Sequence, residues 1–359
     1  MRNEMVSEGN LFKFDYFKCL RSEYAKNSCS LCIDICPEDA MGFERGKLRL
    51  DTERCTACGV CIGSCPTEAL MSDTFDPNHF SIEFSQQSQS FISCKENVPC
   101  LAALSVEHLI SIVLRKEDEV VCDLAHCATC PLNQEGRVYE TIVSMIDEAE
   151  RFLERSGSPK GIQRQMEVSE SAPEAGRRGL LKKLMGVAKE VNQDVSMTEL
   201  IHDSDKKEPL KRILLKNALK MASETFPEDT MIEGDFSFVV NKRIDADTCT
   251  NCQECAMFCP TDALSLLQDN TGIIFQVGKC IACSICNDIC QPGSIQNDNQ
   301  LDLVGLAFDR MQLLVKHHLE MCEECKVAFP YRGGEKVCDR CKDFRANHAD
   351  LFTLAKDLE

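Results

Sequence analysis

Twenty-five of the 359 residues are cysteine, and most stand only two or three residues from the next. No other feature narrows the folds open to this chain as far. Thiols at that spacing share one short loop, which is the ligand arrangement of metal sites. A disulfide scaffold is the competing use of so much cysteine. It fits poorly, because the count is odd and the opening MRNEMVSEGNLFKFDYF has no basic stretch followed by an apolar one. A reducing compartment, the cytoplasm, is therefore expected. No run approaches the ~18 apolar residues of a membrane span, so no membrane insertion is expected.

The cysteines fall into groups: eight in 19–65, five in 94–130, eight in 249–290 and four in 322–341, with none in 131–248. The first and third groups repeat one plan, two cysteine runs separated by about twenty residues. Between the runs, AMGFERGKLRL (40–50) and ALSLLQDNTGIIFQV (263–277) read as strand, turn, strand. Residues 155–179 are rich in Ser, Gly, Pro and charge and read as a flexible linker. Helical periodicity appears at 138–154 and 209–224, with Pro209 suited to a first helical turn.

The strongest motif is Cys249-x2-Cys252-x2-Cys255-x3-Cys259-Pro260, followed by Cys280-x2-Cys283-x2-Cys286-x3-Cys290. It resembles the bacterial two-cluster ferredoxin family, in which the fourth cysteine of each run ligates the other cluster. That resemblance implies Cys249, Cys252, Cys255 and Cys290 on one [4Fe–4S] cluster, and Cys280, Cys283, Cys286 and Cys259 on another. Gln291 stands where a proline is usual, with Pro292 displaced by one, so a different turn is expected there. In the first half, Cys55-x2-Cys58-x2-Cys61-x3-Cys65-Pro66 is complete, whereas Cys29-x2-Cys32-x3-Cys36-Pro37 has Lys26 in its leading place. Cys19 is the natural substitute. The same resemblance then implies Cys19, Cys29, Cys32 and Cys65 on one cluster, and Cys55, Cys58, Cys61 and Cys36 on its neighbour. The alternative is that Cys19 is a buried free thiol and the first site holds a three-iron cluster or none.

Between the repeats, FISC and EVVCDL read as short buried strands and LSVEHLISIVLRK as the helix joining them, with Ser105 as N-cap. The pattern resembles, over about forty residues, the delta-subunit domain of methyl-viologen-reducing hydrogenases. It implies a further iron–sulfur cluster on Cys94, Cys100, Cys127 and Cys130, with Cys122 as a spare or alternative. Zinc, a redox dithiol and structural thiols remain open there. His108 and His126 read as structural. At the C-terminus, Cys322-x2-Cys325 and Cys338-x2-Cys341 bracket a Gly-rich segment. Four thiolates at this spacing read as a zinc ribbon, with a rubredoxin-like iron or another cluster as alternatives.

The expected fold class is α+β: two bacterial ferredoxin-like modules (1–75 and 236–300), and between them a small α/β cysteine-rich domain (76–154) and a stretch of linker and packing helices (155–235). A helix and the zinc ribbon follow in 301–359. The expected cofactors are four [4Fe–4S] clusters, a further cluster in the middle domain, and zinc.

The chain carries 40 Lys and Arg against 58 Asp and Glu, a formal charge of −18. Ligating thiolates add about −2 per oxidised cluster by ionic counting. Nucleic acid is therefore an unsuitable partner, and a redox protein with a basic docking surface a suitable one. Gly176-Arg177-Arg178-Gly179 resembles a twin-arginine signal but has no long apolar stretch after it, and GLLKKLMGVAKEV reads as a basic amphipathic helix. No phosphate-binding glycine loop, dinucleotide motif or HExxH is present, so no organic substrate is evident. The expected function is electron transfer as a subunit or carrier for an anaerobic-type oxidoreductase resembling formate dehydrogenase, hydrogenase or heterodisulfide reductase. A maturation factor for a molybdenum or tungsten enzyme and a redox sensor are the alternatives.

Overall fold

The computed structural model describes residues 12–44, 47–133, 135–167, 208–223 and 230–348. The expected basic helix and the twin-arginine-like segment lie outside the described residues, as do residues 168–179 of the expected linker.

Each cysteine-run repeat folds as a hairpin flanked by a second strand pair. In the first module, β1 (Phe12–Phe14) enters, followed by two single-turn helices, α1 (Leu20–Glu23) and α2 (Leu31–Asp34). The hairpin β2 (Met41–Glu44) and β3 (Lys47–Leu50) comes next, then α3 (Val60–Ser64) and β4 (Leu70–Ser72). β1 pairs antiparallel with β4, which brings the two ends of the module together. Phe12, Met41, Leu48, Ile62 and Leu70 fill its core beside Cys36 and Cys65.

The middle unit is a three-stranded parallel sheet. Its elements are α4 (Pro77–Gln86), β5 (Phe91–Ile92), α5 (Val106–Arg115), β6 (Val120–Asp123), α6 (Arg137–Arg155) and β7 (Ile162–Gln165), with sheet order β5-β6-β7. Ser105 caps α5 as expected: its hydroxyl accepts from the His108 N–H, and the His108 ring reaches back to the Ser105 N–H. His108 is thus a structural residue, with its other ring nitrogen against Asn78. α6 buries Val138, Ile142, Met145, Ile146, Ala149, Phe152 and Leu153, the stripe of a helix with one face inward. β7 corrects the linker expectation. The run Ile-Gln-Arg-Gln has one apolar residue and no turn punctuation. Ile162 nevertheless pairs with Val120, and Arg164 is held by Asp147 and Glu150 of α6.

Helix α7 (Leu210–Ala222) lies against α5 and sends Leu215 and Leu219 into the core it shares with the middle unit. β8 (Met231–Glu233) leads into the second module. That module comprises β9 (Asn241–Ile244), α8 (Glu254–Met257), β10 (Leu264–Leu266), β11 (Gly272–Gln276), α9 (Ile285–Ile289), β12 (Ile295–Asp298), β13 (Gln300–Asp302), α10 (Leu303–Phe308) and β14 (Met311–Lys316). β9 pairs with β12 and β10 with β11, repeating the first module's plan. β14 adds a third strand beside β11, so residues up to 316 belong to this module and not to the C-terminal unit. Gly272 permits the approach, because a Cβ there would stand 2.3 Å from the Val315 carbonyl oxygen. The C-terminal unit is the hairpin β15 (Leu319–Met321) and β16 (Ala328–Pro330) with α11 (Asp339–His348). No described helix is long and apolar enough to cross a membrane.

Candidate iron–sulfur and metal sites

Three of the four cysteine runs in the two modules are wound alike. In Cys55–Cys61 the residues Ala57 and Gly59 have φ of 54° and 79°. In Cys249–Cys255 they are Asn251 and Gln253 (54° and 68°), and in Cys280–Cys286 they are Ala282 and Ser284 (53° and 60°). Left-handed backbone at a residue with a side chain costs on the order of 1 kcal/mol and persists only where the surroundings dictate it. Repeated at the same places in three loops, it curls each chain around a centre, the geometry of a backbone nest for an anionic group.

The turns after the runs also agree. The N–H of Asp39, Glu68, Asp262 and Gly293 each donates to the carbonyl of the cysteine three residues earlier, at 3.3, 3.5, 3.5 and 2.9 Å. All four of these residues have positive φ. The displaced proline at 292 therefore leaves the turn after Cys290 intact, contrary to expectation, because Gly293 supplies the left-handed residue.

These loops bring four-thiol groups together. Cys36, Cys55, Cys58 and Cys61 line one cavity with Phe12, Met41 and Leu50. Cys249, Cys252, Cys255 and Cys290 line another with Ile244, Ile273 and Ile295. Cys259, Cys280, Cys283 and Cys286 line a third with Leu264, Phe275 and Ile285. Cys19, Cys29, Cys32 and Cys65 form the fourth group, each within electrostatic reach of the others. The sets implied by the crossed arrangement are thus adjacent in space.

Two residues that sequence reasoning missed close the longer loop of the fourth group. Arg21 Nε donates to the Cys29 carbonyl at 2.7 Å while its guanidinium lies 3.9 Å from the Phe43 ring centre. The Asn27 side-chain Oδ1 accepts the Cys29 N–H at 3.0 Å. An Asn two residues before a cysteine is an Asx-turn signal and was available in the sequence. The arginine contact was not, because it joins separate turns.

The donor set suits a metal–sulfide core. Burial, and then the charge of neighbouring thiols, pushes Cys32 and Cys255 up to about 12, while burial chiefly raises Cys283 to about 12. Four thiols crowded into one largely apolar cavity do not ionise together unless cationic metal replaces their protons. Backbone donors already face some of the sulfurs: Ala40 N–H to Cys36 Sγ and Ala69 N–H to Cys65 Sγ at 3.3 Å each, and Leu264 N–H to Cys259 Sγ at 3.5 Å.

Residues 27–69 match the family described as 4Fe-4S dicluster domain, and residues 242–265 match that described as 4Fe-4S binding domain. The chain carries two ferredoxin-type 4Fe–4S domains. Among curated proteins none matches it. The two matches cover the cysteine runs of both ferredoxin modules in part and leave the middle and C-terminal groups outside.

In the middle unit Cys94, Cys100, Cys127 and Cys130 approach one another at the ends of β5 and β6. Cys122 does not join them. It sits fully buried within β6, where Arg164 and Glu150 are the charged groups that act on it. The alternation of Val120 and Cys122 inward with Val121 between them was the signal that marks it as core. His126 is half-buried beside Cys127.

The four C-terminal sulfurs of Cys322, Cys325, Cys338 and Cys341 all lie within 4.8 Å of one another, a group compatible with a metal-binding module. The first pair stands in the β15–β16 hairpin. The second opens helix α11 and does not form a second hairpin knuckle.

Proposed function

We propose that the protein is an electron-transfer subunit or carrier. It would relay single electrons through at least four [4Fe–4S] clusters to or from an oxidoreductase. The observation that carries this reading is the threefold recurrence of one left-handed loop winding around a four-thiol cavity. The holding residues would be Cys19, Cys29, Cys32 and Cys65; Cys36, Cys55, Cys58 and Cys61; Cys249, Cys252, Cys255 and Cys290; and Cys259, Cys280, Cys283 and Cys286. When bound, such a cluster supplies a one-electron couple without a bond being made or broken.

The chain's own residues supply the setting. Aliphatic and aromatic side chains exclude water, backbone N–H groups donate to sulfur, and buried cations lie close by. Lys211 donates to the Cys65 carbonyl at 2.7 Å, and Lys242 stands beside Cys286. The reading assigns catalysis to a partner. The middle group Cys94, Cys100, Cys127 and Cys130 is proposed as a further iron–sulfur site and the C-terminal thiols as a zinc site. Formate dehydrogenase, hydrogenase and heterodisulfide-reductase-like enzymes are the partner classes suggested by the resemblance. A net charge of −18 favours a basic docking face on that partner.

Anoxic iron, acid-labile sulfide and zinc analysis tests the reading. The two ferredoxin modules should yield about 16 iron atoms, with a smaller further amount from the middle group. Colourless protein without labile sulfide would refute it.

A further inference from the structure

Among the described residues, neighbouring thiol groups can be followed from one to the next. Cys100 of the middle group lies within electrostatic reach of Cys58. The packing there is tight: a Cβ on Gly59 would stand 3.5 Å from the Ala103 Cβ, and one on Gly63 would stand 2.2 Å from the Leu104 carbonyl oxygen. Within the first module, Cys61 neighbours Cys32. Across the module boundary, Cys29 and Cys283 flank one small apolar cluster of Leu20, Ile281, Ile285, Tyr24 and Phe258. Asn27 Nδ2 reaches the Cys283 carbonyl there at 3.5 Å, and Tyr24 meets Phe258 edge to face at 5.9 Å. Within the second module, Cys255 neighbours Cys286. Finally Arg332 of the C-terminal unit donates to the carbonyls of Cys249 at 2.7 Å and Ala246 at 3.3 Å.

We propose that the cofactor sites form one unbranched series. The order is Cys94/Cys100/Cys127/Cys130, then Cys36/Cys55/Cys58/Cys61, then Cys19/Cys29/Cys32/Cys65, then Cys259/Cys280/Cys283/Cys286, then Cys249/Cys252/Cys255/Cys290. The C-terminal metal module is seated against the last of them. This inference rests on the electron-transfer reading and extends it from a count of sites to a route. The two ends serve as ports for different partners. The middle-group end is one. The other carries Cys252, the one exposed cysteine among the described residues. The junction between Cys29 and Cys283 joins the two ferredoxin modules. One electron leaves each site as the next accepts it, so no proton moves and no bond breaks; a low-potential one-electron donor such as the methyl viologen radical feeds the series.

The order has a structural rationale at the crossing. The irregular run, with Cys19 in place of a leading cysteine, forms the site that faces the second module. The nine residues between Cys19 and Cys29, where a regular run has two, supply Leu20, Tyr24 and Asn27, the residues that build the bridge. What reads in the sequence as a defect in the motif is the part that docks one module on the other.

The test uses the full chain, prepared anoxically, fully reduced, and read by electron paramagnetic resonance with iron and sulfide content measured in parallel. Neighbouring reduced clusters broaden each other's lines. In the series, Cys29→Ser removes a site with a neighbour on each side, so the lines of the Cys58 site and of the Cys283 site should both narrow. Cys252→Ser removes an end, so only the Cys283 site should narrow. If Cys29→Ser costs more than its own cluster, Cys283→Ser reads the same junction from the other side and should narrow the lines of the Cys32 site. Clusters present but second-module lines unchanged in Cys29→Ser, or first-module lines unchanged in Cys283→Ser, would overturn the series while leaving electron transfer standing. Absence of clusters in the unaltered protein would instead overturn the underlying reading.

Discussion

The ammonium of Lys242 donates to Asn287 Oδ1 at 2.6 Å, and Asn287 directly follows Cys286. A second amide oxygen, that of Asn297, accepts from the same ammonium at 2.5 Å. Lys242 is 2 % exposed and counters the rise that burial imposes on Cys286, which reaches about 11. Both named partners are neutral, so its charge is left to act on the thiol group beside it.

A buried cation stabilises the reduced, more negative state of a cluster more than the oxidised one. Lys242→Gln keeps amide donors near Asn287 and Asn297 but removes the charge. The midpoint potential of the Cys259/Cys280/Cys283/Cys286 site should fall, by on the order of 50–100 mV for a charge at short range in a medium of intermediate dielectric. A redox titration followed by electron paramagnetic resonance measures it. An unchanged potential with iron content intact would show that the charge is screened.

A second buried charge group ties the helices together. Glu107 of α5 pairs with Arg212 Nη2 at 3.1 Å and Lys211 Nζ at 3.4 Å of α7, and all three are at most 4 % exposed. Lys211 also holds the Cys65 carbonyl, so one carboxylate anchors the cation that links α7 to the first module. Removing one partner leaves uncompensated charge in the interior. Glu107→Ala should therefore destabilise the protein by about 3–5 kcal/mol, seen as a lowered thermal midpoint. Exposed pairs such as Lys13 with Asp73 should matter far less, at about 0–1 kcal/mol.

Local signals made much of this legible. The hairpins at 41–50 and 264–276, the Ser105 cap, and the helices at 137–155 and 210–222 all followed from residue order and period. The grouping of the thiols followed from spacing and from resemblance. What stayed hidden depends on contacts between distant segments. β7 is an edge strand with one buried residue, and β14 joins a sheet across a separate helix, so neither carries its own period. The bridge of Leu20 and Tyr24 onto Ile281, Ile285 and Phe258 joins residues more than 200 positions apart, and nothing local announces it. Cys122 was legible as core from its alternation, but cysteine spacing drew attention away from it.

The C-terminal unit has a very small apolar core, Val337 and Phe329 around the four cysteines. With zinc on the four thiols, as proposed, such a unit would be held together mainly by the metal. A chelator strong enough to strip zinc should release one ion and expose residues 319–341 to rapid hydrogen exchange, with the iron content unchanged. Arg332→Ala should leave the ion in place but loosen the unit from the Cys249 loop, raising exchange at residues 246–252. Loss of iron on zinc removal would show that the unit supports the clusters structurally.

His108 gives the fold a defined sensitivity to acid. Burial first, and then the nearby Lys211, hold its ring neutral down to about 3. In the unfolded chain the same ring takes up a proton below about 6.5. Between these values the unfolded state binds more protons, so folding stability rises with pH across that window. The contribution is complete above about 6.5 and is lost progressively as pH falls toward about 3, by at most about 1.4 kcal/mol per unit. Glutamine at this position keeps a side chain that can reach the Ser105 N–H from the third helical residue, as in a capping box, but cannot titrate. The difference in thermal midpoint between about pH 7.5 and about pH 5.5 should therefore be smaller in His108→Gln than in the unaltered protein. Equal differences in the two proteins would assign the acid sensitivity to other groups.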